Sequence, residues 1–100
     1  MIQLAIKIPK ARLAAFCKRN HIKRLALFGS VLRDDFSPDS DVDVLVEFDP
    51  AHIPGLEFFD MQDELSEILG RKVDLSTPGF LSRYFRDQVL AEAQDLYDAA

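Results

Sequence analysis

Ten residues separate two short signals in this chain. Gly29-Ser30 ends one apolar run, and Asp41-Val42-Asp43 opens another. Such a pattern predicts two buried strands joined by a tight turn and a polar loop. Ile22–Phe28 is expected as the first strand. Its nearly continuous Leu25-Ala26-Leu27-Phe28 suits a central strand covered on both faces. Gly29 breaks it, and Ser30 is a good N-cap for a short helix through Val31, Leu32 and Arg33. Asp34–Ser40 is polar, contains Pro38, and is expected as a loop. Asp41–Phe48 is the second strand. Val42, Val44 and Val46 share one face, and Asp41, Asp43, Leu45 and Glu47 the other.

The flanking segments complete a small mixed sheet. Ile6–Asn20 is predicted as a helix, with Pro9 in its first turn and Leu13, Phe16 and Cys17 at helical spacing. Gly55–Leu69 is a second helix, with Leu56, Phe59, Leu65, Ile68 and Leu69 as its apolar positions and Gly70 as its stop. Lys72–Ser76 is a third strand, Thr77-Pro78-Gly79 a turn, and Phe80–Leu90 a last helix. Ala91–Ala100 either continues that helix or forms an edge strand near Leu96-Tyr97. The expected class is α/β (α+β): a small mixed β-sheet flanked by helices. At 100 residues, 1–100 is expected as one domain.

Composition narrows the function classes. A net charge of −5 argues against a sequence-independent nucleic-acid binder, which needs a basic face. No apolar run approaches the ~20 residues of a membrane span. The single Cys17 cannot form an intramolecular disulfide, so a reducing, cytoplasmic setting is the default expectation.

The carboxylates carry the first chemical signal. Asp41 and Asp43 lie on one strand face, roughly 6.5–7 Å apart along the backbone. Both can turn toward one ion. Mg²⁺ takes hard oxygen ligands and shares its shell with waters and phosphates. Asp74, between Val73 and Leu75, repeats the arrangement. If its strand lies beside Asp41–Phe48, the three carboxylates meet and can hold two metal ions, the arrangement that serves in-line displacement. The turn carries the second signal. Gly29 allows close backbone approach, Ser30 caps a helix whose amides face an anion, and Arg33 can reach a phosphate or an acidic loop residue. Ser40 can bond phosphate or cap the turn.

Taken singly, each element has an ordinary explanation: a plain turn, a solvated strand end, an exposed edge Asp, a surface salt bridge. Their combination and order point to chemistry on a nucleoside triphosphate. His21 and His52 lack zinc-site spacing, the first standing at a helix end and the second in a loop. Cys17 is expected as a buried helix residue. Lys72 shares a strand face with Asp74 and is expected to pair with it. Leu56, Phe58, Phe59, Phe80, Tyr84 and Phe85 are expected mostly in the core, with any exposed remainder marking a docking face.

At these positions the chain resembles the DNA polymerase β-type nucleotidyltransferase superfamily, written Gly-Ser, a spacer, Asp-X-Asp and a later Asp. It is most similar to the minimal nucleotidyltransferase (MNT) group, written Gly-Ser-X-Ala-Arg-Gly and Ser-Asp-X-Asp. Here those positions are Gly29-Ser30-Val31-Leu32-Arg33-Asp34 and Ser40-Asp41-Val42-Asp43. Leu32 and Asp34 depart from the pattern, and Asp34 adds negative charge beside the phosphate site. The resemblance implies a nucleotidyltransferase fold and Mg²⁺-dependent transfer of AMP from ATP to a hydroxyl. Asp41, Asp43 and Asp74 would hold two Mg²⁺ ions, with Gly29, Ser30, Arg33 and Ser40 toward the nucleotide. It also implies an antitoxin role toward a HEPN-domain RNase toxin, in a hetero-oligomer, with a tyrosine of that partner as acceptor. Two alternatives are a non-catalytic antitoxin that masks its partner and a small-molecule nucleotidyltransferase.

Overall fold

The structure is a computed structural model that describes residues 8–33 and 40–99. The start of the expected Ile6–Asn20 helix, the loop from Asp34 to Asp39, the place of Asp34 beside a phosphate site and the last residue, Ala100, lie outside them.

Helix α1 spans Lys10–Arg19. Pro9 stands at its N-cap, and the Pro9 carbonyl accepts from the Leu13 N–H at 3.0 Å. Leu13, Phe16 and Cys17 form its buried face, while Lys18 and Arg19 suit the negative end of the helix dipole. The Asn20 side chain donates to the Phe16 carbonyl at 2.9 Å. His21, at φ +56°, then turns the chain into strand β1, Ile22–Phe28.

Strand β1 is central, as its apolar run predicts. The sheet order is β3-β2-β1-β4, with β2 spanning Val42–Phe48, β3 Val73–Ser76 and β4 Gln94–Asp98. β1 pairs antiparallel with both β2 and β4, whereas β2 and β3 run parallel. Helix α2, Glu57–Leu69, makes the crossover that a parallel pair requires. It ends at Gly70, which adopts a left-handed conformation at φ +68°.

One face of the sheet packs on α1 and α2 through Leu25, Leu27, Val42, Val44, Val46, Leu65 and their neighbours. The opposite face is covered too: Ala26 and Leu45, register partners outside that cluster, are both buried. The α2 contribution differs from expectation. Met61, Leu65, Ile68 and Leu69 are buried, but Leu56 and Phe59 are exposed. At about 100° per residue, both fall off the stripe that Met61, Leu65 and Ile68 define.

The C-terminal quarter departs further. In place of a helix over Phe80–Leu90, Pro78–Phe80 forms a 3₁₀ turn and helix α3 runs only from Arg86 to Glu92. Leu81 is extended, Tyr84 and Phe85 face solvent, and α3 buries no residue. No apolar stripe therefore holds a longer helix on the sheet. The open choice at the C-terminus resolves as an edge strand, with Tyr97 opposite Leu25 and Gln94 opposite Leu27.

Candidate active site

The end of β1, the start of β2 and the middle of β3 meet at one end of the sheet. Antiparallel register sets Phe28 opposite Asp43, and parallel register sets Asp43 opposite Asp74. The strand that carries Asp74 thus lies where the sequence requires it.

Gly29 makes this meeting possible. It sits at φ +76°, and a Cβ there would lie 2.2 Å from Asp43 Oδ2. Only glycine combines that backbone with that close approach. Gly29–Leu32 then forms a 3₁₀ turn whose N-cap is Phe28, with no side-chain cap. Ser30 is therefore not the N-cap that its residue type suggests. It acts through its backbone, whose N–H donates to the Asp43 carboxylate.

The half-buried Asp43 is held above the usual carboxylate range. Burial is the largest cause, followed by the charges of Asp74 and then Asp41. Arg33 and the Ser30 N–H oppose the shift. The three carboxylates and Arg33 consequently share one electrostatic neighbourhood. They do not form a closed cage: among the described residues, no three His, Cys, Asp or Glu side chains stand together as a ready-made metal site.

Asp41 precedes β2 and is exposed. Its carboxylate lies 4.0 Å from Lys72 Nζ, because the parallel register brings Lys72 alongside it. The observed partner of Lys72 is thus Asp41, not the expected Asp74. The Val42 N–H donates to the Lys72 carbonyl at 2.8 Å, and Arg71 donates to the Ser40 carbonyl at 3.2 Å. These two bonds fasten the Ser40-Asp41 entry to the chain leading into β3. A cavity of about 370 Å³ adjoins the turn, lined by Gly29, Leu32, Arg33, Ala91, Glu92 and Gln94.

Sequence reasoning missed two residues that hold β3. The Val73 N–H donates to Ser66 Oγ at 3.0 Å, and the Leu75 N–H to Gln62 Oε1 at 2.9 Å. Both acceptors sit one turn apart on α2. Their bonds flank Asp74 and satisfy amides on an edge strand that β2 leaves unpaired. Their only sequence signal is a Gln and a Ser four apart beside the apolar stripe.

His21 and His52 stack with centroids 3.8 Å apart, a pairing that the sequence does not announce. Cys17 is fully buried as expected, and burial pushes its thiol up to about 12. Leu56, Phe59, Tyr84 and Phe85 are exposed, contrary to a core assignment.

Comparison with known proteins gives a consistent picture. The family model described as nucleotidyltransferase domain matches residues 10–96. A candidate protein adenylyltransferase of Methanocaldococcus jannaschii is 32% identical over 87 residues, covering 87% of this chain and 92% of its own. The protein adenylyltransferase MntA of Thermococcus cleftensis is 36% identical over 76 residues, 75% of each chain. A solved structure of a candidate minimal nucleotidyltransferase superposes with a TM-score of 0.69 at 33% identity, covering 84% of this chain and 85% of that one. A complex of tri-AMPylated Shewanella oneidensis HEPN toxin with its MNT antitoxin matches at 20% identity with a TM-score of 0.61. That match covers 90% of this chain and 70% of that one, and it shows the shared fold.

Proposed function

The chain belongs to the nucleotidyltransferase domain family, and from that membership we propose that it transfers AMP from ATP to a tyrosine hydroxyl of a HEPN-domain RNase toxin. The transfer neutralises the toxin, so the chain acts as a cytoplasmic antitoxin. The observation that carries this reading is the register that sets Asp43 beside Asp74, with Gly29 and the Ser30 N–H against the Asp43 carboxylate. The MntA relative is named a protein adenylyltransferase, which supports the reaction class. The HEPN complex supports the partner.

The donor set fits Mg²⁺. All three groups are hard carboxylates, and Asp43 bears burial together with two like charges that a cation would offset. An Mg²⁺ site of this class needs only one or two carboxylates, the substrate phosphates completing the shell, so a closed cage is not required. Asp41, Asp43 and Asp74 would hold it. When bound, it supplies charge stabilisation at the phosphoryl oxygens and a lower pKa for the attacking hydroxyl.

The chain's own groups do the rest. Gly29 leaves space for close approach at the turn. Ser30 orients Asp43 through its N–H, and its hydroxyl is a donor for phosphate. Arg33 offsets carboxylate and phosphate charge. Ser40 completes the nucleotide side of the entry. The acceptor hydroxyl attacks the α-phosphorus, the new O–P bond forms, and pyrophosphate leaves with the broken bond's electrons. Asp74 helps take the hydroxyl proton.

Mass spectrometry of a purified HEPN partner incubated with ATP, Mg²⁺ and the chain tests this. The expected product is heavier by AMP on tyrosine, and Asp43→Asn abolishes it. An unmodified partner, or full modification by Asp43→Asn, contradicts the reading.

The exposed Leu56, Phe59 and Tyr84 favour a second reading, a module that neutralises by masking alone. An Asp41→Asn/Asp43→Asn double variant that still neutralises at stoichiometric protein would support it.

A further inference from the structure

The far end of β2 carries a second feature, outside the carboxylate site. A groove of about 490 Å³ is lined by Phe48, Ile53, Phe58, Phe59, Thr77 and Pro78, among others. Phe48 and Phe58 meet edge to face at 6.3 Å, and Phe59 packs edge-on against Phe58 at 6.1 Å. Ile53 and Phe59 are 67% and 64% exposed, and nearby Leu56 is 83% exposed. So much uncovered apolar surface in one place marks an interaction site on a chain this small.

The surrounding charge states what kind of surface fits. Residues 47–70, which supply most of the groove's lining, hold seven acidic residues and no Lys or Arg. Glu57 and Asp60 are exposed next to Leu56 and Phe59 in sequence, and Glu47, which pairs with Arg24, lines the groove. An apolar groove with an acidic rim complements a basic surface that presents an apolar anchor.

We propose that this groove docks the protein acceptor, through one large apolar or aromatic side chain flanked by Lys or Arg. This rests on the reading that the acceptor hydroxyl belongs to another protein. Glu47, on the same strand face as Asp43 and four residues after it, lines the groove, roughly 13 Å along the strand. A protein anchored there spans the distance to the carboxylates, so the groove supplies the acceptor grip that the small transfer site lacks. A second copy is the competing occupant, because the chain's own Arg83-Tyr84-Phe85-Arg86 exposes aromatic side chains between arginines. Concentration-dependent shifts in the absence of any peptide distinguish it from a protein acceptor.

The test is an NMR titration of the full chain without ATP, so that a failure of transfer chemistry has no bearing on it. The probe is a synthetic peptide with a central Trp between Lys pairs. Shifts are expected at Ile53, Phe58, Phe59 and Thr77. Affinity falls at least tenfold for Phe59→Ser, for Leu56→Ser, and for a peptide with Glu in place of Lys. Circular dichroism melts confirm that both variants fold, and Leu56, the more exposed, serves if Phe59→Ser does not. Absence of binding, binding elsewhere, or equal affinity for the Glu peptide overturns the proposal. Concentration-dependent shifts at the same residues without peptide also overturn it, assigning the groove to a second copy.

Discussion

Gly29 is the residue on which the site turns. Its φ of +76° strains any residue with a side chain, and a Cβ there would lie 2.2 Å from Asp43 Oδ2. In Gly29→Ala the new methyl meets the movable end of the Asp43 carboxylate, so the carboxylate shifts, and the backbone strain remains. We predict a stability loss of about 1–2 kcal/mol in urea melts. A larger proportional loss of AMP transfer accompanies it. Wild-type transfer by Gly29→Ala would show that the close approach is incidental. Cys17 makes a different statement at the same scale. Its thiol titrates near 12 in the folded chain against 9.0 unperturbed. The unfolded chain therefore releases this proton first as pH rises. The stabilisation is complete below pH 9 and is lost between pH 9 and about 12. Native chain should resist a thiol reagent at pH 8, reacting only at the rate of unfolding. Residue identity made Cys17 legible in the sequence, because an apolar helix face leaves little doubt about burial. The role of Ser30 was not legible. Whether a serine caps by its hydroxyl or positions a neighbour by its N–H depends on where the turn begins, and here Phe28 takes the cap.

Among elements, β3 is the one that most needs help. It has four residues, lies at the sheet edge and carries Asp74. Helix α2 covers its open side with Gln62 and Ser66. Gln62→Leu should leave the Leu75 amide unsatisfied and cost about 1–3 kcal/mol. Amide exchange at Val73 and Leu75 should speed up before that of β1. Unchanged protection at both amides would remove α2 from the account of how Asp74 is held. Strand β1 was readable because burial on both faces leaves a nearly continuous apolar run, and β2 because Val42, Val44 and Val46 alternate on one face. The parallel placement of β3 beside β2 was readable only as a condition. Pairing partners depend on the α2 crossover, and nothing in Val73-Asp74-Leu75-Ser76 states it. The Phe80–Leu90 segment misleads for the opposite reason. Its aromatic residues resemble a helix face, yet Tyr84 and Phe85 find no surface to cover them.

At the scale of the molecule, the candidate carboxylate site stands at one end of β2 and the Phe48–Phe58–Phe59 groove at the other. Leu65, fully buried at the centre of α2, ties the helix to the sheet between them. The order Gly29-Ser30, Asp41-Val42-Asp43 and Asp74 was legible in the sequence, and the strand register then sets Asp43 opposite Asp74. The groove was not legible, since exposure of Leu56 and Phe59 follows from helix phase, which a reading of hydrophobic content overlooks. The site also shows where stability and function part. Burial and two like charges make the Asp43 carboxylate unfavourable in the folded chain, a cost to stability that a bound cation would offset. The most direct measurement compares single-turnover AMP transfer and thermal melting for wild type, Asp43→Asn and Asp74→Asn. Losing several kcal/mol of charge stabilisation corresponds to a rate loss on the order of 10²–10³-fold or more. We predict that loss in both variants, with Asp43→Asn melting at the same or a higher temperature. Transfer at the wild-type rate by Asp43→Asn, or a loss matched by collapse of its melt, would contradict it.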